Sequence, residues 1–377
     1  MKKSKLILVG VMTVLGSLSM AAPNTPPTKA ANTFEKRALP FLFKKNKSFL
    51  ISPYSFRTAM SLVEAGAAGE TLAELQDLNC GVQLFHNISN DITRILSVQK
   101  VWVDNKYPLK TEYADKIRGE WKSEVSAVPF KQHPNEQREI INQWVESNTN
   151  QKIKNLIPAG SVTSDTKIVL ANAIYFLSNW KEAFDPKQTT TMKFKPSSGK
   201  EVEMPFMVKK FDSVKYIQND KWSALVLPYV ESGAELMLVL PAPGQKIQSI
   251  AEVVMATDTA EIGTAPLMVY LPKFKLEYLV DFAKFAKELK ITNTCSIKAD
   301  FSNLSDRAKK DTLFVSNIFH KTFMEIDEKG TEAAAATAVT MRMGSAGGGP
   351  QVFKADHPFL LVLKYKDQNL FVGYYNR

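Results

Sequence analysis

Near the carboxy end, Glu328-Lys329-Gly330-Thr331-Glu332-Ala333-Ala334-Ala335-Ala336-Thr337-Ala338-Val339-Thr340-Met341-Arg342-Met343 runs without a proline into Gly344-Ser345-Ala346-Gly347-Gly348-Gly349-Pro350. Read at a period of two, Thr331, Ala333, Ala335, Thr337, Val339, Met341 and Met343 share one face, and the charges Glu332 and Arg342 take the other. One face is therefore fit for burial as a strand. Four consecutive alanines also suit a short helix or a flexible small-residue linker. The flanks decide. Phe319–Asp327 alternates in part like a strand, and Phe353–Leu363 enters another. A segment this long between compact elements is either functional or disordered, and its tethering to strands at both ends favours function.

The chain has 377 residues, 45% of them hydrophobic, enough for a large core in one large or two ordinary domains. Lys2, Lys3 and Lys5 precede an apolar run from Leu6 to Leu15, and small residues follow through Ala21. That pattern predicts a secretory signal peptide over residues 1–21 and a mobile leader over 22–32, rich in Pro23, Pro26 and Pro27. A plain signal without a following cysteine implies export to the periplasm or the extracellular space, with no lipid anchor, and its shortness suggests a bacterial source. No run reaches the length of a membrane helix, so no membrane partner is expected.

The formal net charge is +10, and the basic clusters Lys44-Lys45-Lys47, Lys209-Lys210 and Lys309-Lys310 are short. None is interleaved with aromatic residues, which makes them solvated surface and argues against nucleic acid. Cys80 and Cys295 stand far apart, outside any metal-ligand spacing, and read as two unpaired thiols. No metal or cofactor is expected. Four histidines, His86, His133, His320 and His357, leave little material for a hydrolase. Neither Gly-x-Ser-x-Gly, His-Glu-x-x-His nor a phosphate-cradling glycine loop occurs, so the chain does not read as an enzyme.

Local patterns give a helix near Asn32–Phe43, a turn at Ser52-Pro53 leading an apolar helix from Tyr54 to about Glu64, and another helix opening at Gly69-Glu70-Thr71. In Asn135–Asn148, Ile140, Ile141, Trp144 and Val145 recur at helical spacing and should pack on a sheet. Ile168–Phe176, Ser223–Pro228 and Leu236–Leu240 are apolar strands. Helices dominate early and strands late, an α+β arrangement without repeats.

In this order and spacing, the motifs resemble the serpin family over residues 33–377. Glu328–Thr337 looks like the hinge of the serpin reactive-centre loop, and Phe353–Leu363 resembles the family's carboxy-terminal signature. Ile51-Ser52-Pro53-Tyr54-Ser55, Asn172-Ala173-Ile174-Tyr175-Phe176-Leu177-Ser178-Asn179-Trp180, Leu225–Pro228 and Leu271–Phe274 add further matches. Two departures stand out: Gln151 replaces a customary glycine, and Asn376-Arg377 lacks the customary final proline.

The resemblance implies one large α+β domain with a central five-stranded sheet, further sheets, about nine helices and an exposed loop over about residues 328–352. It implies a shutter of Ser52, Ser55, Asn172 and His320, a polar cluster where the main sheet opens, and a breach at Trp180 where Lys273 pairs with Glu328. It also implies a monomeric inhibitor that traps a serine protease, or alternatively a cysteine protease, in a covalent complex. The hinge Glu328, Gly330, Thr331, Glu332, Ala333, Ala334, Ala335, Ala336 and Thr337 has the small residues that this requires. The scissile bond falls after Met343, with Gly344-Ser345 the position reached by counting and Arg342-Met343 a third option. Met343 would suit elastase- or chymotrypsin-like enzymes, and Arg342 trypsin-like ones. The region 81–97 holds a single arginine, against a heparin site. A non-inhibitory binding or carrier member of the family is the competing reading.

Overall fold

A computed structural model of the chain describes residues 33–44, 46–79, 87–331, 351–366 and 368–377. The signal segment, the leader, Cys80, His86 and everything from Glu332 to Pro350 lie outside them. The first half comprises α1 (Thr33–Phe43), β1 (Phe49–Ile51), α2 (Pro53–Glu64), α3 (Gly69–Asn79), β2 (Ile88–Ser89), β3 (Arg94–Asp104), α4 (Thr111–Trp121), β4 (Glu124–Val128), α5 (Pro134–Asn148) and β5 (Ile168–Asn179). Next come β6 (Thr190–Phe194), β7 (Val202–Gln218), β8 (Trp222–Pro228), β9 (Ala234–Pro241), α6 (Ile247–Ala256), β10 (Thr264–Pro272), β11 (Phe274–Asp281) and α7 (Ala286–Leu289). The chain ends with β12 (Val315–Ile326), β13 (Gly330–Thr331), β14 (Gln351–Lys354), β15 (Phe359–Tyr365) and β16 (Gln368–Tyr375). Seven α-helices and three 3-10 helices are thus present among the described residues, where about nine helices were expected.

The helix α2 begins where Ser52 and Pro53 predict. The Ser52 hydroxyl accepts the Ser55 amide at 3.1 Å, and Pro53 occupies the first turn, where its missing N–H costs nothing. Residues 53–63 are buried all round, because α2 lies between the sheets. Its interior hydroxyls are satisfied along the helix itself, Thr58 donating to the Tyr54 carbonyl and Ser61 to that of Arg57.

The sheet that carries the site runs β11-β12-β13-β5-β3-β2, with β4 added on β3. Five of these strands are long, matching the expected number, while β2 and β13 contribute two residues each. In β5 the first nine residues are all buried, as befits a strand covered on both faces. Its odd and even residues serve different cores. Ala171 and Ala173 pack with Phe319, Ile141 and Val145 beneath α5. Leu170, Ile174 and Phe176 face the body of the protein.

One helix face needs correction. Ile140 does not pack on the sheet but is 44% exposed, because Gln137, Ile141, Asn142 and Val145 form the buried stripe of α5. Asn142 earns its buried place by pairing with both backbone groups of Ile157, at 2.8 and 3.1 Å. After α5 the chain turns through Asn150 and Gln151 with φ of 52° and 60°, a conformation that explains the glycine usual at the second position.

The other sheet has nine strands in the order β1-β16-β15-β9-β8-β7-β10-β14, with β6 on β7. The further sheets expected from the resemblance are joined into one by the 17-residue β7, which pairs with β10 and β6 along much of its length and with β8 near its end. Phe353 and Phe359–Leu363, read as one strand from sequence, fall on β14 and β15 with a break between them. Asn376 fixes the strand end, donating to the Asn46 carbonyl and accepting from the Ser197 amide. No described helix is long and apolar enough to cross a membrane.

Candidate functional site

The strands β5 and β12 run parallel, with His320 opposite Asn172 and regular pairing up to Thr322 opposite Ile174. Above that point they part. β13 stands between them, Thr331 lying opposite Ser178 on one side and Ile326 on the other. The main sheet is therefore closed along its length and wedged open at one end by Gly330 and Thr331 of the hinge.

At the closed part, Ser52, Ser55, Asn172 and His320 come together, each fully buried. Nε2 of His320 accepts the Ser52 amide at 2.9 Å, so the ring proton sits on Nδ1 and is donated to Oδ1 of Asn172. The Ser55 hydroxyl donates to the same oxygen at 3.4 Å. Burial holds the imidazole neutral and pulls its pKa down to about 3. One atom is left over. Nδ2 of Asn172 is buried without a hydrogen-bond partner, the kind of unsatisfied donor that folded proteins seldom keep without reason.

At the wedged end, Lys273 meets Glu328 at 2.7 Å and Thr189 donates to the other carboxylate oxygen at 2.7 Å. Burial pulls the Glu328 carboxyl upward, but these two bonds outweigh it and hold the group below the usual carboxylate range. The Glu328 side chain is only 10% exposed, so the pair is more sheltered than a surface salt bridge. Trp180 clasps the same turn, its backbone amide donating to the Lys329 carbonyl at 2.7 Å and its indole N–H to that of Asp327 at 2.9 Å. Gly330 explains itself by contact: a Cβ there would lie 2.1 Å from the Ser178 carbonyl oxygen.

Sequence reasoning missed Tyr229. Its ring stacks on Trp180 with centroids 4.5 Å apart, and its hydroxyl shares a 2.6 Å hydrogen bond with that of Thr331. Burial raises the phenol pKa, so it remains a hydroxyl. Thr189 was also missed, as were Thr93 and Ser178, whose hydroxyls pair at 2.9 Å beside the hinge. No local pattern marks these residues, since each acts through a partner distant in sequence. Glu332, Ala333, Ala334, Ala335, Ala336 and Thr337, and the bond candidates Arg342, Met343, Gly344 and Ser345, lie outside the described residues. Cys295 is a free thiol whose pKa burial pushes up to about 12, far from reactive.

The family model described as "Serpin (serine protease inhibitor)" matches residues 30–377. Serpin-ZXA of rice is 34% identical over 358 residues, covering 87% of this chain and 89% of that one. Among solved structures, Serpin48 of the insect Tenebrio molitor, described as a highly specific serpin, superposes with a TM-score of 0.80 at 28% identity over 91% of this chain and 95% of its own. Human thyroxine-binding globulin, solved with its hormone bound, has the same fold with a TM-score of 0.78 at 21% identity, over 91% and 96%.

Proposed function

The chain belongs to the serpin family, and from that premise we propose that it inhibits serine proteases by letting its loop be cleaved and then drawing the freed segment into the main sheet. The family holds non-inhibitory members as well, so the residues of this chain must carry the choice. The single observation that does so is the register of β13. Each step along the hinge from Thr331 is one step down β5 from Ser178 and one down β12 from Ile326.

Continued in that register, Ala333 enters between Phe176 and Met324, and Ala335 between Ile174 and Thr322. Thr337 arrives between Asn172 and His320, and Val339 between Leu170 and Ile318. Small residues thus meet the bulky pairs, a hydroxyl meets the polar cluster with its unpartnered Nδ2, and an apolar residue meets the core. The opposite face is matched too. Ala336 and Ala338 pass beside Ala173 and Ala171, which are packed beneath α5. A four-alanine run is what a strand slipping between two packed layers needs, and no charge falls in either buried stretch.

The driving force is completion of the sheet. About 14 residues gaining ladder bonds at about 0.5–1.5 kcal/mol net each amounts to on the order of 10 kcal/mol before packing, comparable to the whole stability of an ordinary domain. Insertion is then effectively irreversible, and a protease still acylated to the upstream fragment travels with it. Met343 is the preferred residue before the scissile bond, and elastase- or chymotrypsin-like enzymes the preferred targets. The amino-terminal pattern assigns this activity to an exported protein.

Mature protein incubated with an elastase, a chymotrypsin and a trypsin should give a band on a denaturing gel at the summed mass of inhibitor and protease. Mass spectrometry of the released peptide then identifies the bond. Cleavage by all three without complex, and without any gain in thermal stability, would overturn the inhibitory reading in favour of a binding or carrier serpin.

A further inference from the structure

Behind Trp180, where β5 meets the end of β8, lies a solvent-open cavity of about 290 Å³ with walls of Trp180, Phe211, Val214, Val226 and Leu227. We propose that it is a binding site for a small amphipathic anion, a two-ring aryl carboxylate or its like, whose occupancy bears on the hinge through Trp180. The inference is independent of the inhibitory reading, since it concerns ligand binding by the uncleaved protein.

Size sets the body of the ligand. An apolar cavity of about 150 Å³ takes one benzene ring, so this one admits two fused rings. Charge sets its head. Glu235 at the lining is matched by Lys215 at 3.3 Å, and Glu182 by Lys209 at 3.4 Å. Lys181, also at the lining, has no carboxylate partner among the described residues and is the cation left to receive an anion. An apolar pocket with one uncompensated charge at its edge favours ligands that carry the opposite charge on an apolar frame.

The coupling follows from what holds the wall in place. The Lys181 amide donates to the Pro228 carbonyl at 2.9 Å, fixing the pocket to both sheets. Trp180 lines the cavity, its indole donates to the Asp327 carbonyl, and its backbone holds Lys329. A ligand packed against Trp180 stabilises the clasped position of the hinge over any state in which that residue lets go.

The test is isothermal titration of the uncleaved protein with naphthalene-2-carboxylate, its uncharged amide serving as control. Saturable one-to-one binding, about tenfold tighter than the amide and about tenfold weaker in Lys181→Glu, is expected. Ser213→Trp, at an exposed lining position, should abolish it, and Thr264→Trp on the neighbouring strand should do so independently. Hydrogen exchange at the Gly330 and Thr331 amides should slow when ligand is bound. Absence of saturable heat overturns the site, as does undiminished binding in both tryptophan variants at an unchanged thermal midpoint. Equal binding of acid and amide overturns the anion, and unaltered exchange at the hinge overturns the coupling.

Discussion

Replacing Thr337 by valine tests the loop insertion that is proposed to convert cleavage into trapping. The two side chains have nearly the same shape, so packing is conserved and only the hydroxyl is lost. In the uncleaved protein, Asn172 Nδ2 is already without a partner, and the substitution should leave stability within about 0.5 kcal/mol of the original. In the cleaved protein, the β13 register continued along the proposed insertion would bring residue 337 between Asn172 and His320, where the threonine oxygen could accept from Nδ2. Valine leaves that donor buried and unsatisfied, at a cost of about 1–3 kcal/mol. Guanidinium unfolding of both proteins, before and after loop cleavage, measures the difference. The expected result is a loss confined to the cleaved form, with the slope of the transition unchanged. An equal loss in both forms, or none in either, would show that Thr337 does not reach the cluster and that the register argument is wrong.

Three further outcomes follow from the same geometry. His320 is neutral in the fold with a pKa of about 3, so between that value and the unfolded value of about 6.5 only the unfolded chain takes up a proton. Stability is therefore full above the unfolded pKa and falls by about 1.4 kcal/mol per pH unit as acid is added, and between pH 7.5 and 5 His320→Gln should lose about 2 kcal/mol less than the original protein; parallel curves would refute the assignment. Glu328, held low by Lys273 and Thr189, adds its own loss only at more acidic pH, below the ordinary carboxylate value, and so does not blur that window. Gly330→Ala must push β13 off the Ser178 carbonyl, lowering the native unfolding midpoint by the equivalent of about 1–3 kcal/mol and speeding hydrogen exchange at Thr331. Gln151→Gly releases a left-handed side-chain residue after α5 and should raise the thermal midpoint, by about 0.5 kcal/mol once glycine's added unfolded-state freedom is subtracted; a fall would mean that the turn needs the glutamine.

What was legible in the sequence was whatever is written locally. The Ser52-Pro53 cap and the apolar strands around Ile168 and Leu236 carry their cause within a few residues. Partners from afar were legible only where the serpin resemblance supplied them, as with Lys273 and Glu328 or His320 and Asn172. Tyr229 shows the limit. Nothing near Pro228 says that a tyrosine there will stack on Trp180 and reach Thr331, because the bridge forms where one sheet ends against another.

The alanines show a subtler limit. At a period of two the sequence accounts for Ala333 and Ala335 on one buried face, yet leaves Ala334 and Ala336 looking like spare helix formers. The packing of Ala171, Ala173 and Phe319 beneath α5 supplies the missing constraint, for a strand entering there is covered on both sides. Burial on both faces removes the alternation that betrays most strands and leaves a uniform run of small residues, which by composition alone is indistinguishable from a helix. Under the proposed insertion, the ambiguity of that run is a consequence of the slot that it would enter: any larger side chain on the α5 side would have to lift the helix before the sheet could close around it.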